Sequence, residues 1–175
     1  MSSATQMYPY ALKSRNRERT LLWYSGKRGD FFMLDSSCKL LAAQSPRELK
    51  KLLGKRSGDV RWKEGAKLDF DKFWRALRSL RVNRASSQST CRLLLNGWNF
   101  VEDLLRTFDL SRIGRCLRTP LLNRCYDKIF FGSNLPSVTP ESKRYEPLWT
   151  REEITKLQEA FGSVRQQLEK SGLMP

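Results

Sequence analysis

Histidine is missing from all 175 residues of the chain. Its absence excludes an imidazole general base, a Ser–His or Cys–His nucleophile pair and any His-ligated zinc site. Cysteine is scarce. Cys38, Cys91, Cys116 and Cys125 lie 53, 25 and 9 positions apart, with no C-x-x-C pair for zinc and no spacing that suggests a disulfide framework. Cys91 and Cys125 stand in apolar contexts and read as small buried hydrophobes. No apolar run reaches the roughly 18 residues a spanning helix needs, so no membrane segment is expected. The start, MSSATQMYPYALKSRNRER, lacks the apolar core of a secretory signal. Reduced thiols without an export signal point to the cytoplasm. Much of enzymology is gone before any motif is sought.

Negative charge is also in short supply. Asp and Glu number 18 against 33 Lys and Arg, a formal net charge of +15. Residues 1–60 carry 12 basic and 5 acidic side chains, residues 61–125 carry 14 and 6, and residues 126–175 carry 7 of each. The excess therefore sits on the first 125 residues, and the last third is neutral. From Arg75 to Arg124 every basic residue is Arg, the side chain that grips carboxylate or phosphate bidentately. Hydrophobic residues at 39% and aromatics at 11% nevertheless predict a packed globule rather than a basic tail. The length predicts a single domain over 1–175, with residues 1–19 as a flexible or edge segment.

Local signals predict an α+β fold: a small N-terminal antiparallel sheet packed against a layer of about five helices. Thr20–Ser25 and Phe31–Leu34 read as strands joined by the loop Gly26-Lys27-Arg28-Gly29-Asp30, with Lys39–Ala43 as a third. Val60-Arg61-Trp62 reads as a further short strand. Ser45-Pro46-Arg47-Glu48 opens a helix as a capping box, and Gly54 ends it. Asp69 caps a helix whose apolar face is Phe70, Phe73, Trp74, Leu77 and Leu80. The Ser-rich stretch 85–90 leads into a long amphipathic helix from Cys91 to Phe108. A helix follows over Leu117–Phe131, then a long ordered loop over Gly132–Trp149. Thr150-Arg151-Glu152-Glu153 caps the last helix.

Chemistry-bearing groups are few. Asn96, Asn99, Glu102 and Asp103 cluster on the long helix, where they either hold a substrate amide or metal or pair with backbone and Arg groups. Without histidine or a second carboxylate in register, pairing is favoured. Asp69/Asp71 and Glu152/Glu153 are paired carboxylates at helix starts, where the dipole already explains them. Gly26 and Gly29 lack phosphate-loop spacing. No catalytic residue, cofactor or metal ligand is assigned, and the chain reads as a binder rather than an enzyme.

Two classes of partner fit the basic surface. Nucleic acid would meet its phosphates, with Trp62 or Tyr24 stacking on bases, yet no nucleic-acid-binding motif is present. A protein partner with an acidic face would meet the same Arg and aromatic anchors. The contact residues predicted from charge and exposure are Lys27, Arg28, Lys55, Arg56, Arg61, Trp62, Arg75 and Arg78.

The order of segments bears on this choice. Leu34-Asp35, then Ser45-Pro46-Arg47-Glu48-Leu49, then Leu94-Leu95-Asn96-Gly97-Trp98-Asn99 with Asp103 form its first half. Residues 126–136 (YDKIFFGSNLP) and Pro147-Leu148-Trp149-Thr150 complete it. This pattern, over roughly residues 20–170, resembles contact-dependent growth inhibition immunity proteins of bacteria. The resemblance implies a protein that binds the C-terminal toxic domain of a cognate effector, often a nuclease, and occludes its active site. Such proteins, when they meet basic nucleases, are usually acidic. A chain of +15 therefore implies a toxin face that is acidic or lined with carboxylates. A small basic nucleic-acid-binding protein is the alternative.

Overall fold

The computed structural model describes residues 6–26, 29–140, 143–170 and 172. Its first element is a long hairpin of β1 (Gln6–Ser14) and β2 (Arg17–Gly26), in register from Gln6 opposite Ser25 to Ser14 opposite Arg17. The connecting pair Arg15-Asn16 has φ of 50° and 60°, the left-handed conformation that two-residue hairpins need at both positions. Asn tolerates it, and Arg does so less readily. The strain is offset from outside: the backbone N–H groups of Arg15 and Asn16 donate to the two Asp71 carboxylate oxygens at 3.0 and 2.9 Å. Those bonds hold the Asp71 carboxyl below its usual range.

The sheet continues with β3 (Gly29–Phe32), β4 (Ala42–Ala43) and β5 (Ala66–Asp69) in the order β3-β2-β1-β5, with β4 also pairing β2. Two expectations are corrected here. The sheet is mixed, because β5 runs parallel to β1 from Tyr10–Ala66 to Lys13–Asp69. And residues 6–14 form an inner strand, hydrogen-bonded on both sides, instead of a flexible or edge segment. Pro9 is accommodated because the pairing with β5 begins only at Tyr10. The expected strand at 60–62 reduces to a single Met7–Val60 bridge, with Arg61 N–H donating to Met7 O at 2.9 Å.

The helices are α1 (Pro46–Leu53), α2 (Phe70–Ser79), α3 (Gln88–Thr107), the single turn α4 (Ser111–Gly114), α5 (Pro120–Gly132) and α6 (Arg151–Lys170). Ser45, Asp69, Ser87, Thr119 and Thr150 each accept a bond from the N–H three residues on, so the chain supplies the first-turn donors with partners locally. At α6 the box is reciprocal: Glu153 Oε2 accepts from Thr150 N–H at 2.9 Å.

Strand alternation divides the core in two. Tyr10, Leu12, Leu21, Phe32 and Leu68 face the main core with α2, α3, α5 and α6, where Trp98, Phe73, Phe100 and Phe161 are fully buried. Leu22 and Ala43, with Met7 and Met33, face the other way onto Leu49 and Leu53 of α1, joined by Val60 and Trp62. The sheet is thus covered on both faces, and the helices do not form one layer. α3, about 30 Å long at 1.5 Å per residue, is the central element. A Cβ on Gly97 would lie 2.1 Å from the Phe73 ring, so α2 and α3 approach as closely as they do only because that position is glycine. Cys91 and Cys125 are fully buried in the helical layer. Among the described residues no helix is long and apolar enough to cross a membrane.

Candidate interaction surface

The outer face of the sheet is built from α1 outward. Gly54, at φ 54°, ends α1, and its N–H donates to Lys50 O and Lys51 O. The two lysines stand at the negative end of the helix dipole. The chain then makes a 3₁₀ turn over Gly54–Asp59 that leaves Lys55 and Arg56 exposed. Val60 is buried and anchors the turn. Trp62 folds back over it: its indole N–H donates to Ser57 O at 2.9 Å, and Lys50 Nζ lies 4.7 Å from the ring centroid. Arg61 pairs with Glu64 at 3.2 Å between two exposed side chains, a contact worth about 0.5 kcal/mol at most.

Beside this basic ridge runs an apolar groove of about 530 Å³, lined by Met7, Tyr24, Phe31, Met33, Leu34 and Arg56. Tyr24 and Phe31 are cross-strand partners and stack with centroids 5.7 Å apart. The Arg106 guanidinium lies 5.8 Å from the Phe31 ring. The groove is therefore an aromatic and methionine surface with a guanidinium on its rim. Of its lining residues charge singled out only Arg56 as a contact. Tyr24 entered only as a stacking partner, and the run Phe31–Leu34 entered only as a strand.

The predicted contacts separate in space. Lys55, Arg56, Arg61 and Trp62 gather on the α1 side of the sheet. Arg75 and Arg78 belong to α2 on the opposite face, where Arg78 Nε donates to Trp74 O at 3.3 Å. Lys27 and Arg28 lie outside the described residues.

A second cleft, of about 630 Å³, separates α3 from the sheet and is lined by Tyr10, Trp23, Asp30, Asn99, Asp103 and Arg106 among others. Asp103 is buried and both its oxygens are engaged, Oδ2 by the Trp23 indole N–H at 3.1 Å and Oδ1 by Arg106 Nη1 at 2.9 Å. Burial pushes its carboxyl up to about 7, helped by Asp30 and opposed by the Trp23 bond and Arg106. Burial, and then the Asp103 charge, also raises the Tyr10 hydroxyl. Arg106 Nη1 donates onward to Asp30 O at 3.0 Å, and Phe32 N–H donates to Thr107 Oγ1 at 2.9 Å. These bonds satisfy backbone groups of β3 and blunt an exposed strand edge. Asn99 Oδ1 accepts from the Tyr126 hydroxyl at 3.4 Å. Within the α3 cluster Asp103 ties helix to sheet, Asn99 reaches α5 and Glu102 lies 3.5 Å from Arg118.

Glu153, of the Glu152/Glu153 pair, is likewise paired. Burial alone would raise the Glu153 carboxyl, but Lys128 at 2.7 and 2.9 Å and the Thr150 N–H outweigh it and hold it below the usual range. No cluster of three or more metal-ligating side chains occurs among the described residues. No family model, curated protein or solved structure matches the chain.

Proposed function

We propose that the chain is an immunity protein that binds the C-terminal toxic domain of a cognate effector in the bacterial cytoplasm and occludes its active site. The groove carries this reading: Met7, Tyr24, Phe31, Met33 and Leu34 form an apolar centre with Arg56 on its rim and Lys50, Lys55 and Trp62 beside it. An apolar, aromatic centre with a charged rim is the anatomy of a protein–protein interface. The rim is basic, so the matching toxin face is acidic or lined with carboxylates. On this reading Lys55, Arg56, Arg61 and Trp62 are contacts, Arg75 and Arg78 lie on the far side of the sheet, and no residue is catalytic.

Nucleic acid is the second reading, favoured by the same ridge. It fits less well, because Trp62 already has Lys50 over its ring and Tyr24 is stacked on Phe31. Each ring offers a base at most one free face. Co-expression with a toxin domain taken from a gene neighbouring this one is the test. Restored growth and a complex that co-purifies are expected, with only weak affinity for generic DNA or RNA at physiological salt. Failure to rescue or to co-purify would overturn the reading. An affinity for nucleic acid whose logarithm falls steeply and linearly with log salt would establish the alternative.

A further inference from the structure

Exposed large apolar side chains are not scattered over this molecule. Apart from Leu52 and Val82, those among the described residues are Phe131, Val138, Tyr145 and Leu148, at the end of α5 and on the loop that follows. Phe131, Val138 and Tyr145 line one groove of about 330 Å³, together with Asp127, Lys128 and Lys143. Leu148 is held at its edge by Lys128 Nζ, which donates to Leu148 O at 2.9 Å. Clustered exposed apolar groups of this kind mark an association surface.

Described residues on either side of 141–142 are tied to one another. Asn134 is buried at a left-handed φ of 46°. Its side chain accepts from Tyr145 N–H at 2.9 Å and donates to Tyr145 O at 3.0 Å and Gly132 O at 2.9 Å. Pro147 packs directly over Gly132, where a Cβ would lie 2.8 Å from the ring. The backbone that carries Phe131 and Tyr145 is thus tied in place, which lowers the ordering cost of binding.

Charge selects the occupant. The chain carries +15, yet the charged side chains that line this groove are only Asp127, Lys128 and Lys143. Two copies meeting through the first 125 residues would bury repelling charge. Meeting here, they bury none in excess. Of the three charged side chains lining the groove, Lys128 is already paired with Glu153 at 2.7 Å, which leaves Asp127 and Lys143, one of each sign. We infer that this face docks a second copy of the chain in a two-fold dimer, with Asp127 of each copy against Lys143 of the other. The patch leaves the groove beside α1 free, so the inference does not depend on the toxin reading.

The salt dependence is distinctive. Long-range repulsion between two +15 bodies opposes the dimer until salt screens it, so association tightens as the Debye length falls from about 30 Å at 0.01 M to about 8 Å at 0.15 M. Docking of an acidic partner on the basic ridge would instead weaken. Sedimentation equilibrium of the full chain through the micromolar range, at both salts, is the experiment. A monomer–dimer equilibrium that tightens at least tenfold with salt is expected. Phe131→Asp should abolish it and Leu52→Asp should leave it intact. Asp127→Lys and Lys143→Asp should each weaken it, and the double variant should restore it. A monomer throughout, a dimer that survives Phe131→Asp, or a double variant no better than the singles would overturn the inference.

Discussion

The indole N–H of Trp23 on β2 donates to the carboxylate of Asp103 on α3 at 3.1 Å, linking the sheet to the central helix across the larger cleft. The bond sits where titration matters. The Asp103 carboxyl is raised by burial from 3.8 to about 7, and the chain has no histidine, so no imidazole titrates between pH 5 and 8. A carboxyl whose folded-state pKa lies above its unfolded value keeps the native state the better proton binder. Its contribution to stability is complete below about pH 3.8 and is lost as pH rises through about 7. The unfolding free energy from urea titrations should therefore fall from pH 5.5 to pH 8 by an amount on the order of 1–3 kcal/mol. Asp103→Asn should flatten the slope. Parallel slopes in the two proteins would show that another group is responsible.

Gly97 and Phe73 make a prediction of opposite character, one of shape alone. A methyl group at 97 would lie 2.1 Å from the Phe73 ring, inside a layer where Phe70, Phe73, Trp74 and Phe161 interlock at centroid distances of 5.1–6.4 Å. Gly97→Ala gains helix propensity of about 1 kcal/mol, but the forced shift of a packed ring costs about 3 kcal/mol. The net expectation is a loss of about 2 kcal/mol, read from the denaturation midpoint. Phe73→Leu in the same chain should recover part of it. Gly97→Ala that stabilises the protein would mean that α2 and α3 separate easily.

Lys128 and Glu153 connect α5 to the first turn of α6. Glu153 is buried and its charge is met by Lys128 Nζ and the Thr150 N–H. Lys128→Met removes the ammonium and leaves the carboxylate buried, at an expected cost of about 3 kcal/mol. Adding Glu153→Gln to that variant should recover most of the loss, since Gln still accepts from Thr150 N–H. Equal instability of single and double variants would indicate that Lys128 acts through its packing over Trp149, whose ring centroid it approaches to 5.7 Å.

Helices were legible in the sequence because their signals are local. Ser45, Asp69 and Thr150 cap where the spacing of side chains placed them, and the apolar stripes of α2 and α3 carry the period of a helix. Strands depended on partners far along the chain. β5 is four residues long and acquires its identity from β1, more than fifty positions earlier. β1 itself was hidden by Pro9 and by the charged residues from Lys13 to Arg19. The two faces of the sheet were illegible for a further reason. Because α1 covers one face and α2 and α3 the other, Leu21-Leu22 and Phe31–Leu34 are continuous apolar runs with no polar alternation to assign them. Hence Arg56 and Arg75 looked equivalent as exposed basic residues, and only the fold places them on opposite sides. Phe131 and Val138 were likewise read as an end of helix and part of a loop. Nothing local says that they stay exposed.

The division between Arg56 and Arg75 supplies the sharpest test of the proposed toxin site. Phe31 lies at the centre of the groove, so Phe31→Ala should weaken toxin binding by about 2 kcal/mol or more, roughly thirtyfold in Kd. Lys55→Glu with Arg56→Glu reverses the rim. It should slow association about tenfold and remove much of its salt dependence, because rim charges act mainly on the encounter rate. Arg75→Glu with Arg78→Glu makes the same change in net charge on the opposite face, and Kd should stay within about twofold. The matched net charge is the control. If association responded only to the overall field, both pairs would slow it alike, and a specific groove would be ruled out. If only the α2 pair mattered, the binding face would lie across the sheet. Thermal unfolding of each variant separates loss of contact from loss of fold, which matters most for Phe31, since it also stacks on Tyr24.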